Sequence, residues 1–136
     1  MSEDYEIVPG APDAQTYAEL RAAGGLSAFP PDAIASGLHG SWHAVRLVWE
    51  AEIVGMGRIV GDGGCFFQIV DIVVHPDHQK KGLGKAIMQA LMDELEVRAP
   101  VGAYVSLIAD IPADKLYSQF GFHPTAPRSI AMARRF

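Results

Sequence analysis

The chain has one cysteine, Cys65, among 136 residues. A single thiol closes no internal disulfide and builds no cysteine-based metal cluster, and this usage points to a reducing compartment, the cytoplasm. No apolar run is long enough to span a membrane, because Asp71 interrupts the strongest one, Ile69 to Val74. The basic start and continuous apolar stretch of a secretory leader are missing too; Glu3, Asp4 and Glu6 stand there instead. Positive charge is scarce: 11 Lys and Arg against 16 Asp and Glu leave a formal charge of -5. That balance argues against nucleic acid and anionic membrane as partners. Repeats, low-complexity tracts and linkers are absent, so residues 1–136 read as one domain, long enough to bury roughly two-thirds of its unfolded surface. A hydrophobic share of 49% with 20% charged residues excludes disordered and fibrous classes.

What is present reads as alternating elements. Tyr5 to Val8 is a short strand candidate, and Pro12-Asp13 followed by Tyr17 and Leu20 opens a helix that ends at Gly24-Gly25. A loop leads to a second helix from Pro31, with Ile34 and Leu38 inward. Trp42 to Val60 reads as a hairpin turning near Glu50-Ala51, and the glycine-rich stretch Gly61 to Gly64 leads into a long strand, Phe66 to Val74, ended by Pro76. Leu83, Ile87, Ala90, Leu91 and Leu95 recur at helical spacing, so Gly82 to Arg98 is a helix packed on a sheet. Val101 to Ala109 reads as a buried strand, Pro112 to Phe120 as a helix closed by Gly121, and Phe122–Pro124 and Ile130–Ala133 as final strands. The expected class is α/β of the α+β kind: a mixed, mostly antiparallel sheet of six to seven strands, about four helices on both faces, and a β-α-β unit.

The informative junction runs from Val74-His75-Pro76 through Gln79-Lys80-Lys81-Gly82-Leu83-Gly84-Lys85-Ala86, where strand gives way to helix. A helix N-terminus leaves backbone N–H groups unpaired and partly positive, and Gly82 and Gly84 let an anion approach closely. Three lysines within six residues on an acidic chain add local positive charge. A P-loop would need Gly at Gln79 and Ser or Thr at Ala86; a dinucleotide fingerprint would need a small residue at Ile87. Both nucleotide patterns fail.

With those excluded, the sequence resembles the GNAT superfamily of acyl-CoA N-acyltransferases. The pattern Gln or Arg, two residues, Gly, one residue, Gly or Ala matches Gln79 to Gly84, preceded by Val74-His75-Pro76. Ala113, Leu116-Tyr117 and Gly121-Phe122 match the family's second helix motif. The resemblance implies acetyl-CoA as cofactor, its diphosphate on the amides of Lys80, Lys81, Gly82, Leu83, Gly84 and Lys85. Its pantetheine arm would lie along Ile72, Val73 and Val74 between two splayed parallel strands, with Asp110, Ala113 and Tyr117 also contacting it. An amide near Val73 or Val74 would polarise the thioester carbonyl.

The resemblance also implies direct attack by an amine, with Tyr117 protonating the departing thiolate. A base is harder to place. Where some relatives carry Glu, this chain has Gln68, and by strict alternation Asp71 points away from Gln68, Val70, Ile72 and Val74. His75 and His78 read as loop histidines at the helix start, and Cys65 as structural. Trp42, Trp49, Phe66 and Phe67 are candidates for either an acceptor pocket or core. A lysine-like amine of pKa about 10.4 is neutral only about once in 2,500 at pH 7, so the expected acceptor is a small-molecule amine that is either less basic or loses its proton through water chains. The alternatives are a non-catalytic acyl-CoA-binding or sensing module, and a protein N-terminal or lysine acetyltransferase. Edge strands offer contacts for a homodimer.

Overall fold

The computed structural model describes residues 4–136, so Glu3 lies outside them. Strand β1 (Tyr5–Pro9) leads to helix α1 (Ala14–Ala23), whose start is fixed by the Asp13 carboxylate accepting the Thr16 amide at 2.8 Å. Helix α2 (Pro31–His39) follows. Strands β2 (His43–Trp49) and β3 (Glu52–Gly61) form the expected hairpin, and Glu50 and Ala51 both take positive φ at its tight turn. In the next turn a single Asp62 oxygen accepts the amides of Gly64, Cys65 and Phe66, launching β4 (Phe66–Val74). After a 3-10 turn at Pro76–His78 come α3 (Leu83–Arg98), β5 (Tyr104–Leu107) and α4 (Asp114–Ser118).

The sheet runs β1-β2-β3-β4-β5, antiparallel except for the parallel pair of β4 and β5. Its two faces carry separate cores. On one, Leu83, Ile87, Met88, Leu91 and Leu95 of α3 pack onto Leu47, Ile59, Phe67 and Ile69, with Tyr117 and Phe120 at the margin. On the other, Tyr17 and Leu20 of α1 and Ile34 of α2 cover Met56 and Val73.

Three expectations are corrected. The fifth strand is shorter than Val101–Ala109, because Gly102 at φ 89° turns the chain there and Val101 is fully exposed. The last helix is one and a half turns rather than the whole of 112–120. Phe122–Pro124 and Ile130–Ala133 form no strands, so the sheet has five strands among the described residues, not six or seven. Pro124 and Pro127 supply no N–H to a ladder, and Ile130 and Met132 are 70% and 86% exposed, so no apolar burial favours pairing there. No described helix is long and apolar enough to cross a membrane.

Candidate functional site

The site follows from a defect in one strand. Met56 pairs with Val73 and Arg58 with Val70, so Gly57 alone faces two residues of β4, Asp71 and Ile72. This is a β-bulge, and Asp71 takes φ 59° within it. Strict alternation therefore fails at Asp71. Phe67 and Ile69 pack on the α3 face before the bulge, and Ile72 and Val74 pack there after it, while Val73 joins the α1 and α2 face. Asp71 is turned toward α1, together with Gln68 and Val70 rather than away from them. The parallel pairing of β4 with β5 ends at Ile69 and Leu107, just before the bulge, and beyond it the two strands part.

A cavity of about 820 Å³ opens at this point, walled by α1 and the loop after it, by Gln68 to Ile72, and by Leu107, Asp110, Ala113 and Tyr117. Its volume is of the size that holds small molecules. Asp71, with only 4% of its side chain exposed, accepts the Tyr17 hydroxyl at 2.7 Å, the Arg58 Nε at 2.9 Å and the Arg21 Nη1. Arg58 also donates to the Gly37 carbonyl and the Ser41 hydroxyl. Held by a phenol and two guanidiniums from α1 and β3, the Asp71 carboxylate braces the bulge.

Tyr117 lines the cavity wall, and its hydroxyl has no hydrogen bond among the described residues. Burial pushes its phenol above the ordinary tyrosine pKa, and the nearby negative charge of Asp110 pushes the same way. At neutral pH it therefore keeps its proton. Burial likewise raises Tyr17, helped by the bond to Asp71.

The sequence-predicted loop lies at the start of α3. Lys80 and Gly82 adopt left-handed backbone at φ 65° and 76°, and Gly82 caps α3 with no side chain occupying the free amides. A Cβ on Gly82 would meet nothing within 4 Å, so the loop is open to an incoming anion. Gln79 ties the loop back to the strand, donating to the Val74 carbonyl at 2.9 Å. Gly84 brings it against α4: a Cβ there would stand 3.7 Å from Leu116, the neighbour of Tyr117. Lys81 reaches the Tyr5 hydroxyl at 3.4 Å, and Leu83 is buried as an anchor.

The structure thus gathers Ile72, Asp110, Ala113 and Tyr117 at the cavity and places Val73, Val74 and Gln79 to Lys85 outside its walls, linked through Gln79 and Gly84. His75 accepts the Asp77 amide and starts the 3-10 turn, and His78 bonds Tyr5 at 2.7 Å and lies against Trp49, so neither faces the cavity. Trp42 and Phe67 pack together at 4.7 Å as core, and Cys65 sits exposed in a turn. Tyr17, Arg21, Phe29, Arg58 and Arg135 were missed by motif reasoning, although a lone arginine inside the apolar run Ile53 to Val60 was a signal that something polar awaits it.

A family model described as an acetyltransferase (GNAT) domain matches residues 14–132. A Staphylococcus aureus structure, a protein of unknown function described as a probable acetyltransferase, is 39% identical with a TM-score of 0.92, the match covering 97% of this chain and 99% of that one. The ribosomal-protein-S18-alanine N-acetyltransferase of Escherichia coli shares the fold at a TM-score of 0.75 and 22% identity, over 90% of this chain and 79% of that one. Among curated proteins, an uncharacterised N-acetyltransferase of Porphyra purpurea is 36% identical over 73 residues, 54% of this chain and 41% of its own length. Mycothiol acetyltransferase of Amycolatopsis mediterranei is 38% identical over 85 residues, 62% of this chain and 27% of its own. Each match spans less than half the length of these curated relatives.

Proposed function

Because the chain belongs to the GNAT acetyltransferase family, we propose that it moves an acetyl group from acetyl-CoA to the amine of a small molecule, both reactants being bound at once. The observation that carries this reading is Tyr117, a phenol kept protonated at a cavity wall where β4 and β5 part and beside the open start of α3.

The residues fit the cofactor. The uncapped amides from Gly82 to Lys85, with Lys80, Lys81 and Lys85 around them, would hold its diphosphate. The edges of β4 freed beyond Ile69 would receive the amides of its pantetheine arm, from Ile72 to Val74, with Asp110 and Ala113 on the other side. Acetyl-CoA would supply the activated acyl group as a thioester. Tyr117 would donate its proton to the departing thiolate, and a backbone amide at Val73 or Val74 would donate to the carbonyl oxygen as charge develops.

The cavity of about 820 Å³ suits a small molecule, while relatives are named as a mycothiol acetyltransferase and as a ribosomal protein bS18 alanine N-acetyltransferase. The reducing usage of a single exposed thiol suits a cytoplasmic setting. The test is thiol release from acetyl-CoA over a panel of aryl, α- and alkyl amines, repeated with Tyr117→Phe. Release that depends on both the amine and Tyr117 supports the reading. Tight CoA binding with no release on any acceptor would convert it to a sensing module.

A further inference from the structure

Three guanidiniums line the cavity, those of Arg21, Arg58 and Arg135, against two carboxylates, Asp71 and Asp110. On a chain of net charge -5 this is a local inversion of sign. Bracing the bulge explains part of it. Asp71 takes one nitrogen from Arg21 and one from Arg58, and that single carboxylate cannot neutralise both. Arg135 is not explained at all. Among the described residues it has no acidic partner, yet its Nη2 donates to the Ser27 hydroxyl at 2.8 Å, the same hydroxyl that Arg21 Nη2 reaches at 3.3 Å. Both guanidiniums also stand over the Phe29 ring, 4.6 Å and 5.4 Å from its centroid. Two guanidiniums are therefore gathered on one hydroxyl and one ring at a cavity rim, where an anion would find donors from both. Arg58 adds a further donor: its Nη2 has no protein acceptor among the described residues, and no buried polar atom there lacks a partner, so that nitrogen is open to solvent.

We propose that the acceptor amine carries its own anionic group, a carboxylate or a phosphate, which Arg135, Arg21 and Arg58 hold at the loop end of the cavity while the amine faces Tyr117. This rests on the acetyl-transfer reading and names the substrate class within it.

The experiment is steady-state thiol release on matched pairs: an α-amino acid against its methyl ester, and an amino sugar phosphate against the free amino sugar. The ester's amine is the less basic of its pair, so amine ionisation works against the expected result. The anionic member of at least one pair is turned over with a kcat/KM about tenfold or more higher, the size of one charge-assisted hydrogen bond; which pair responds separates carboxylate from phosphate. Arg135→Gln lowers that preference about tenfold, Arg135→Lys restores part of it, and neither shifts the melting temperature, since Arg135 is exposed. Equal turnover within both pairs, or an Arg135→Gln loss shared equally by charged and uncharged amines, overturns the proposal. If no amine releases thiol, the acetyl-transfer reading fails by itself. Calorimetric titration of the same pairs into the CoA-loaded chain then decides the anion site: Arg135-dependent binding of the charged members supports it, and its absence overturns it.

Discussion

Asp71 shows how one residue can serve geometry while lining the candidate cavity. Its carboxylate is almost wholly buried and is held there by Tyr17, Arg21 and Arg58, three side chains from two elements on the same face. Asp71→Asn removes the negative charge and leaves two guanidiniums facing a neutral amide. The expected cost is about 3–5 kcal/mol of folding stability, read by urea denaturation, because an uncompensated buried charge outweighs the lost bond. A loss under about 1 kcal/mol would show that the cluster does not hold the bulge. Tyr117 differs in kind, since its ring packs at the margin of the α3 core while no hydrogen bond holds its hydroxyl among the described residues. Tyr117→Phe should lower kcat about 10²–10⁴-fold with CoA affinity kept, the range that positioned proton donors contribute. The pH sign follows from its raised pKa: the phenol is protonated below its ordinary value of about 10 and loses the proton only above it. Rate loss from Tyr117 ionisation therefore belongs above pH 10, and by linkage the folded chain also loses stability as pH rises through that region. A fall in rate near pH 8 that vanishes in Tyr117→Phe would contradict the assignment.

Elements impose the next constraint, through how closely they meet. Gly57, opposite the bulge, lies under α3, where a Cβ would come within 2.6 Å of Ile87 and 3.1 Å of Leu91. Gly57→Ala should therefore lift α3 from the sheet and cost about 1–3 kcal/mol, as overpacking does. Gly37, inside α2 with nothing within 4 Å, makes the opposite case. Gly37→Ala should stabilise by about 0.5–1 kcal/mol, because alanine favours helix and loses less backbone freedom on folding. Melting curves of the pair give the two signs. The same elements show what sequence periodicity can reach. The helical spacing of Leu83, Ile87, Leu91 and Leu95 was legible because burial on one face repeats every turn. The reversal at Asp71 was not, since a bulge is stabilised by partners on α1 and β3 that lie far off in sequence. For the same reason the loop glycines and Tyr117 could be found from motif spacing, while Arg21, Arg58 and Arg135 could not: they come from three distant segments and meet only at the cavity.

At the scale of the whole molecule, the order of strands and helices was legible and the last strands were not. Ile130 and Met132 alternate as strand residues do, but nothing in the described chain buries them. What joins the halves is the passage from β4 through the Gln79–Gly84 loop to α3 and α4, which touches both the sheet and the helix bearing Tyr117. A ligand seated there should stabilise the entire chain, because binding to the folded state alone raises the free energy of unfolding by mass action. At a hundredfold excess over Kd the gain is about 2.7 kcal/mol, a rise in melting temperature on the order of 10 °C for a chain of this length. Gly82→Val separates that effect from general instability. A β-branched residue at φ 76° is strained, and its side chain would stand in the open approach to the α3 amides. The variant should melt somewhat lower by itself and lose most of the acetyl-CoA shift, whereas Tyr117→Phe should keep it. An undiminished shift in Gly82→Val would mean that the diphosphate does not rest on this loop, and the cofactor would have to be sought along another edge of the cavity.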